Sequence, residues 1–335
     1  MIKPSENYNG LNITFQVTEE CNLRCSYCYE VNKKPNYLKF DYAKKFIDVF
    51  LDDLNPVDAK EGDSIYNIMK EGLILDFIGG DAFMVPELCD KILQYFVFQS
   101  AIKKHVWADT WRASISSNGT LFGDSKVRDF MDKYAKNLSV GVSIDGCPEI
   151  HNLNRDNSMD KILENWGRYL EWCEKAGTCP STKATLNKAS IPYIYESIQY
   201  LHEGMGLQQV NMNFIFEQMN LTQEDYGQIE EQLEKSYKYV LQHKDDLYWS
   251  LLGDSRAIGK PLSEEQLDKG WCGAGSMPCL TVNGKIYPCF RFTPNTMEIK
   301  ENDFYVGDVW NGFNHKERFG AVRECTRGKI SDPKC

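Results

Sequence analysis

The stretch Cys21-Asn22-Leu23-Arg24-Cys25-Ser26-Tyr27-Cys28-Tyr29-Glu30, CNLRCSYCYE at residues 21–30, sets three cysteines at a CxxxCxxC spacing near the start of a 335-residue chain. Thiolates packed this densely in sequence point to a metal centre, and the open question is which metal. A structural zinc site closes with four ligands, so zinc would need a fourth from elsewhere in a chain whose five histidines are scattered. An iron-sulfur cluster with three irons tied to thiolates and one left open uses the incomplete set as it stands.

Immediately before this loop, LNITFQV (11–17) has the β-branched and aromatic make-up of a strand. The same kind of run returns as LILDFI (73–78), RASISS (112–117), LSVGVSI (138–144), STKATL (181–186) and QVNMNFIF (209–216). Between these runs the apolar residues recur at helical spacing. Residues 41–54 put Phe46, Ile47, Phe50, Leu51 and Leu54 on one face, with Asp41 in the first turn. Helices also fit PELCDKILQYF from Pro86, SKVRDFMDKY from Ser125, the stretch from Ser158 through Cys173, and IPYIYESIQYLH from Ile191. Pro86 suits a first helical position, where its missing N–H is not needed. The alternation predicts about six βα units around a parallel sheet, a partial (β/α)6 TIM-like barrel of the α/β class.

This arrangement places the cysteine loop, Gly79-Gly80-Asp81, Ser117-Asn118-Gly119 and Asp145-Gly146 all at strand C-termini. The βα loops of a parallel barrel converge at that end, so the four segments are expected on one rim.

Past residue 220 the pattern changes. TQEDYGQIEEQLEKSYKYVLQHKDDL reads as a long charged helix opened by Thr222 and Asp225, and LTVNGKIYPCF reads as a hairpin about Asn283-Gly284 with a type I′ turn. Three parts follow: a barrel core at 1–216, a helical bridge at 217–265, and a small cysteine-rich α+β domain at 266–335.

Composition narrows the classes further. Apolar residues make up 42% and charged residues 26% of the chain, as in ordinary globular proteins. A net charge of −10, from 38 basic and 48 acidic residues, offers no footprint for a phosphate backbone, so no nucleic acid partner is expected. The polar start MIKPSENYNG lacks the apolar core of an export signal, and no apolar run approaches the roughly 18 residues of a membrane span. A cytoplasmic protein with no membrane partner is expected, and in a reducing compartment twelve cysteines serve as metal ligands, reactive thiols or core residues.

CxxxCxxC with Tyr27 before its last cysteine resembles the signature of radical S-adenosylmethionine (radical SAM) enzymes. Four further segments resemble the family's other pieces in the right order: IGGD (78–81), SSNGT (116–120), SIDGCPEIHNLNR (143–155) and WCGAG…NGKIYPC (271–289). The last resembles the start of the SPASM accessory domain, or of its shorter relative Twitch. The resemblance spans nearly the whole chain. It implies that Cys21, Cys25 and Cys28 hold a [4Fe-4S] cluster whose open iron takes the amino and carboxylate groups of S-adenosylmethionine. One electron then cleaves the sulfonium to a 5′-deoxyadenosyl radical. The same resemblance assigns the cofactor's contacts to Tyr27, Gly79, Gly80, Asp81, Ser117, Asn118, Ser143, Asp145 and Arg155. The family usually has Glu where Asp81 stands, one methylene longer.

Cys272, Cys279 and Cys289 match ligands of an auxiliary iron-sulfur cluster, with Cys325 or Cys335 as the fourth; read locally, a hairpin with cysteines fits a zinc ribbon equally well. After them the chain offers two cysteines and stops at DPKC, so at most one auxiliary cluster is complete within it, and a piece of a longer protein would end in the same way.

Relatives with this two-part plan typically modify ribosomally made peptides, forming thioether or carbon-carbon links, epimers or oxidised side chains. The sulfatase-maturing branch carries an acidic base directly after the hairpin's Pro-Cys. This chain has Cys289-Phe290-Arg291, which disfavours that activity. A cross-linking peptide maturase is therefore the leading expectation, with a precursor peptide as substrate and a flavodoxin or ferredoxin as electron donor. Ten residues precede Leu11, so any leader is expected to be read by the core, by an edge strand or by a separate protein. Two readings of other kinds remain, an iron-sulfur electron carrier and a zinc-stabilised binding module. Cys89 and Cys173 read as core, Cys179 has no partner by spacing, and Cys147 is expected near the rim, where a thiol would suit an epimerase.

Overall fold

The computed structural model describes residues 11–53, 72–215, 219–253, 264–267, 275, 277–297, 304–315 and 317–318. Cys272, Cys325 and Cys335 lie outside the described residues.

Six strands answer to the six apolar runs: β1 (Leu11–Thr18), β2 (Leu73–Gly79), β3 (Trp111–Ser117), β4 (Leu138–Val142), β5 (Ser181–Leu186) and β6 (Gln209–Phe214). Each pairs in parallel with the next, and α-helices form the crossovers: α1 (Phe40–Asp53), α2 (Pro86–Ile102), α3 (Ser125–Lys133), α4 (Pro148–Asn154), α5 (Met159–Ala176) and α6 (Ile194–Gln199). Strand period sorts the side chains between the two faces. Leu11, Ile13, Phe15 and Val17 of β1, with Leu73, Leu75 and Phe77 of β2, are fully buried beneath the helices. Phe15 packs against Phe46 and Phe50 of α1 and stacks on Phe77. Fully burying a side chain of this size contributes about 1.5–3 kcal/mol, so this aromatic group anchors the first βα unit.

The opposite face of the strands is polar, carrying Asn12, Thr14 and Gln16 of β1, Asp76 of β2, Ser114 of β3 and Lys183 of β5. Asp76 has its pKa raised to about 6 by burial, against the lowering effects of Ser114 and Lys183.

The sheet extends beyond the six strands in both directions. Helix α7 (Gln223–Gln242) opens with the expected capping box between Thr222 and Asp225. It leads to β7 (Tyr248–Trp249), which pairs in parallel with β6. On the other edge, β8 (Cys279–Leu280) pairs in parallel with β1, β9 (Lys285–Tyr287) turns back antiparallel, and β10 (Gly307–Asp308) follows. The order is β10-β9-β8-β1-β2-β3-β4-β5-β6-β7, an open sheet and so a partial barrel.

Two local expectations are corrected. Thr281 N–H donates to the Lys285 carbonyl, so the hairpin has a three-residue loop in which Gly284 alone takes a positive φ, of 83°. The Thr281 hydroxyl also bonds Asn283 and the Lys285 carbonyl, holding Asn283 out of the conformation a type I′ turn requires. The helix read from Ile191 is three pieces: a 3-10 turn (Lys188–Tyr193) started by an Asn187 capping box and containing Pro192, then α6, then a π-helical turn (Tyr200–Gly204). No helix among the described residues is long and apolar enough to cross a membrane.

Candidate active site

The loop after β1 is shaped by main-chain contacts to the end of β2. Gly80 N–H donates to the Thr18 carbonyl and Asp81 N–H to the Glu20 carbonyl. A Cβ on Gly80 would lie 2.1 Å from the Glu20 carbonyl oxygen, and one on Gly79, where φ is +135°, 1.9 Å from that of Thr18. Both glycines therefore let β2 dock against the backbone of the cysteine loop.

Asp81 is buried, and its carboxylate is fully engaged by the protein. It accepts from Phe83 N–H at 2.9 Å, from the Ser117 hydroxyl at 3.0 and 3.1 Å, and from Asn118 N–H at 2.8 Å. Asp81 thereby joins the ends of β2 and β3. Asn118 passes the connection on: its Nδ2 donates to Asn22 Oδ1 at 2.8 Å and lies 3.8 Å from Cys21 Sγ.

A second group closes the loop from the side of β4. Tyr27 donates its hydroxyl hydrogen to Asp145 Oδ2 at 2.6 Å, and Arg155 Nε donates to Asp145 Oδ1 at 3.0 Å. The Arg155 guanidinium lies 5.4 Å from the centre of the Tyr27 ring, with Nη1 3.9 Å from Cys25 Sγ. Thr185 N–H also reaches Asp145. Burial works against the Arg155 charge, yet Asp145, Tyr27 and Cys25 more than offset it and raise its pKa. Behind the pair, His151 Nδ1 accepts from Asp145 N–H at 3.3 Å, and its Nε2 meets the Ser158 hydroxyl at 3.0 Å. Burial first, and then Arg155, push the His151 pKa down to about 4, so this ring is neutral.

The thiols of Cys21 and Cys25 have raised pKa values because they are buried, with Lys33 acting to lower both and Arg155 to lower that of Cys25. Three thiols on one short loop, with the cations Arg155 and Lys33 close enough to Cys25 to lower its pKa, are a donor set whose chemistry fits the thiolate ligands of an iron-sulfur cluster.

Among the other expected residues, Ser143 is half-buried, and its N–H donates to the Ser117 carbonyl while its hydroxyl has no partner among the described residues. Cys89 and Cys173 are core, and Cys179 is exposed. Cys147 is buried at the start of α4, with Ser197 Oγ 3.9 Å from its sulfur. Cys279 and Cys289 are both buried on the hairpin. Burial holds the Cys279 pKa far up, with Cys289, Glu30 and Asp76 adding to it.

Sequence reasoning missed the junction between loop and hairpin. Tyr29 packs on Phe290 at 5.6 Å between ring centres and carries Arg291 over its face at 4.9 Å. Glu30 is buried beside Asn295, whose Nδ2 donates to Oε2 at 3.2 Å, and burial pushes its pKa up to about 7. A carboxylate two residues beyond the last cysteine was the only signal available. Beside this junction opens a cavity of 470 Å³, lined by Tyr27, Tyr29, Asn187, Lys188, Ile215 and Met219 among others.

The CxxxCxxC loop follows the C-terminal end of β1 in an open parallel sheet, with the ends of β2 and β3 bonded to it. No protein-family model matches the chain. It is 28% identical over 195 residues to an uncharacterised protein of Methanocaldococcus jannaschii, covering 57% of this chain and 58% of that one. With the serine-type anaerobic sulfatase-maturating enzyme of Bacteroides thetaiotaomicron it shares 30% identity over 148 residues, 42% of this chain and 30% of the enzyme. The chain thus spans little more than half the length of the first relative and less than a third of the second. Among solved structures, the sulfatase-maturating enzyme anSMEcpe with bound AdoMet and the Kp18Cys peptide superposes with a TM-score of 0.67 at 16% identity, covering 96% of this chain and 84% of that one. Streptococcus suis SuiB bound to its precursor peptide SuiA gives 0.59 at 14%, covering 93% and 66%. At such identities the likeness is one of fold.

Proposed function

We propose that the chain is a radical S-adenosylmethionine peptide maturase that removes hydrogen from a ribosomally made precursor and leaves a thioether or carbon-carbon cross-link. The observation that carries this reading is the cysteine loop itself, three thiols on a loop tied to the Tyr27–Asp145–Arg155 network and to Asn118. The cluster and S-adenosylmethionine, when bound, would supply the one-electron chemistry that makes a 5′-deoxyadenosyl radical. Cys21, Cys25 and Cys28 would hold the cluster. Asp81 and Asn118 keep the Cys21 side of the loop in place, and Asp145 and Arg155 keep the Cys25 side in place. The half-buried Ser143 hydroxyl remains available to a ligand, as do the main-chain carbonyls of the Gly79-Gly80 segment.

Cys279 and Cys289, with Cys272 and one of Cys325 or Cys335, would hold an auxiliary cluster, and residues 266–335 are assigned to that domain. Substrate access is assigned to the cavity beside Tyr27 and Tyr29. A flavodoxin or ferredoxin is the proposed electron donor, and a separate protein could present the leader. Two relatives of this fold were solved with peptides bound, which supports a peptide substrate. Phe290, packed on Tyr29 where the sulfatase branch places its base, keeps that activity in second place.

Anaerobically purified protein should contain iron and sulfide and release 5′-deoxyadenosine with a reductant. With its precursor it should give a product lighter by about two mass units, as cross-linking after hydrogen loss requires. Cys25→Ala should abolish cleavage of S-adenosylmethionine. Cys279→Ala should keep that cleavage and lose the peptide product. Zinc without sulfide would reject the reading, and cofactor cleavage with unchanged peptide mass would reject cross-linking.

A further inference from the structure

At the far end of the barrel from the cysteine loop, two elements bring together two imidazoles and a carboxylate that the proposed chemistry does not use. His202 lies in the π-helical turn after α6, His243 caps the C-terminal end of α7, and Asp246 follows it. His202 Nε2 is 3.4 Å from Asp246 Oδ2, and His243 Nδ1 is 3.7 Å from Asp246 Oδ1. One ligand atom from each of the three lies within 4.8 Å of the others. Single π-turns of this kind occur often at functional sites, since the extra residue re-aims side chains.

The hydrogen bonds behind His202 decide which of its nitrogens is free. Tyr239 Oη is 2.7 Å from His202 Nδ1 and 2.8 Å from Glu203 Oε1. An ionised Glu203 can only accept, so the single phenolic hydrogen belongs to that bond. The Tyr239 oxygen must then accept from His202 Nδ1–H, which leaves Nε2 as the nitrogen that faces Asp246. A lone pair on that nitrogen and a carboxylate oxygen do not bond to each other, whereas a metal ion or a proton between them joins them. Histidine ligands to metals are commonly oriented in this way, by a hydrogen bond from the other nitrogen.

We propose that His202, His243 and Asp246 bind a divalent transition-metal ion of the zinc type, clamping the π-turn to the end of α7, with Tyr239 and Glu203 fixing the tautomer of His202. The two histidine–carboxylate spacings, 3.4 and 3.7 Å, are close to the edge of about 3.3 Å expected for tetrahedral nitrogen and oxygen ligands about 2.0 Å from zinc, and the third lies within 4.8 Å. Three protein ligands leave a fourth position for water. The competing explanation is a proton in place of the metal, with His202 as an imidazolium paired to Asp246.

The site is independent of the cysteine loop, and its test is too. Untagged protein with its cysteines occupied by iron and sulfide should take up one Zn²⁺ in a calorimetric titration with no loss of cluster absorbance, and its thermal midpoint should rise by a few degrees, as any ligand specific to the native state produces. His243→Ala and Asp246→Asn, at side chains exposed enough to spare the fold, should each weaken that uptake at least tenfold. A variant lacking Cys21, Cys25 and Cys28 should keep it. Zinc uptake that is absent at millimolar concentration, or unaltered in both variants, overturns the proposal in favour of the proton.

Discussion

The cysteine loop follows the C-terminal end of β1 and the hairpin pairs with the middle of that strand, and the two hold their thiols by different means. On the loop, Cys25 and Cys28 stay half-buried, with Arg155, paired to Asp145, against Cys25 and Asn118 against the neighbouring Cys21. On the hairpin, Cys279 lies within a strand paired to β1 and is fully buried, and Cys289 is nearly so. A loop held by directional hydrogen bonds can be rigid and still leave a face open to a ligand. A strand held by its ladder and apolar packing is rigid because it is sealed.

The sharpest way to break this contrast is to remove the charge at the centre of the loop's network. Asp145→Asn leaves Arg155 buried without its anion, and breaking such a pair should cost about 3–5 kcal/mol in chemical denaturation. A loss below about 1 kcal/mol would mean that the network is ornamental. The next effect is on acid stability. His151 is neutral and buried with its pKa lowered to about 4, whereas in the unfolded chain it titrates near 6.5. The unfolded state therefore binds the extra proton between those values. Stability from this group is complete above about pH 6.5 and declines as the pH falls to about 4, by about 3 kcal/mol in all. His151→Gln should flatten that part of the stability profile. The smallest effect belongs to the hairpin: Gly284→Ala sets a side chain at a φ of +83°, 2.9 Å from the Trp310 ring, and should cost about 1 kcal/mol. If this substitution proved worse than Asp145→Asn, the hairpin and not the loop would be the more finely fitted region.

Six strands, most of their helices and the four rim segments were legible in the sequence because each depends on local periodicity or on a short motif. The Thr222–Asp225 box and Pro86 at the start of α2 are of the same kind. The break of one expected helix into 3-10, α and π turns was less legible, since only Pro192 announced it. The partners of Asp81 could not be read at all. A carboxylate at a strand end has many possible partners, and those it meets, the Ser117 hydroxyl and Asn118 N–H, lie 36 and 37 residues away in sequence.

By itself the sequence determined the alternating fold, the three-thiol loop and its place at a strand's C-terminus, because strand period, helix period and CxxxCxxC spacing all act over a few residues. Only the tertiary structure decided that Gly79 and Gly80 accommodate the cysteine loop's own backbone, that Glu30 and Tyr29 join the loop to the hairpin, and that His202, His243 and Asp246 meet at the opposite end. Those outcomes depend on contacts between residues distant in sequence, and such distances are set only when the sheet brings its strands side by side.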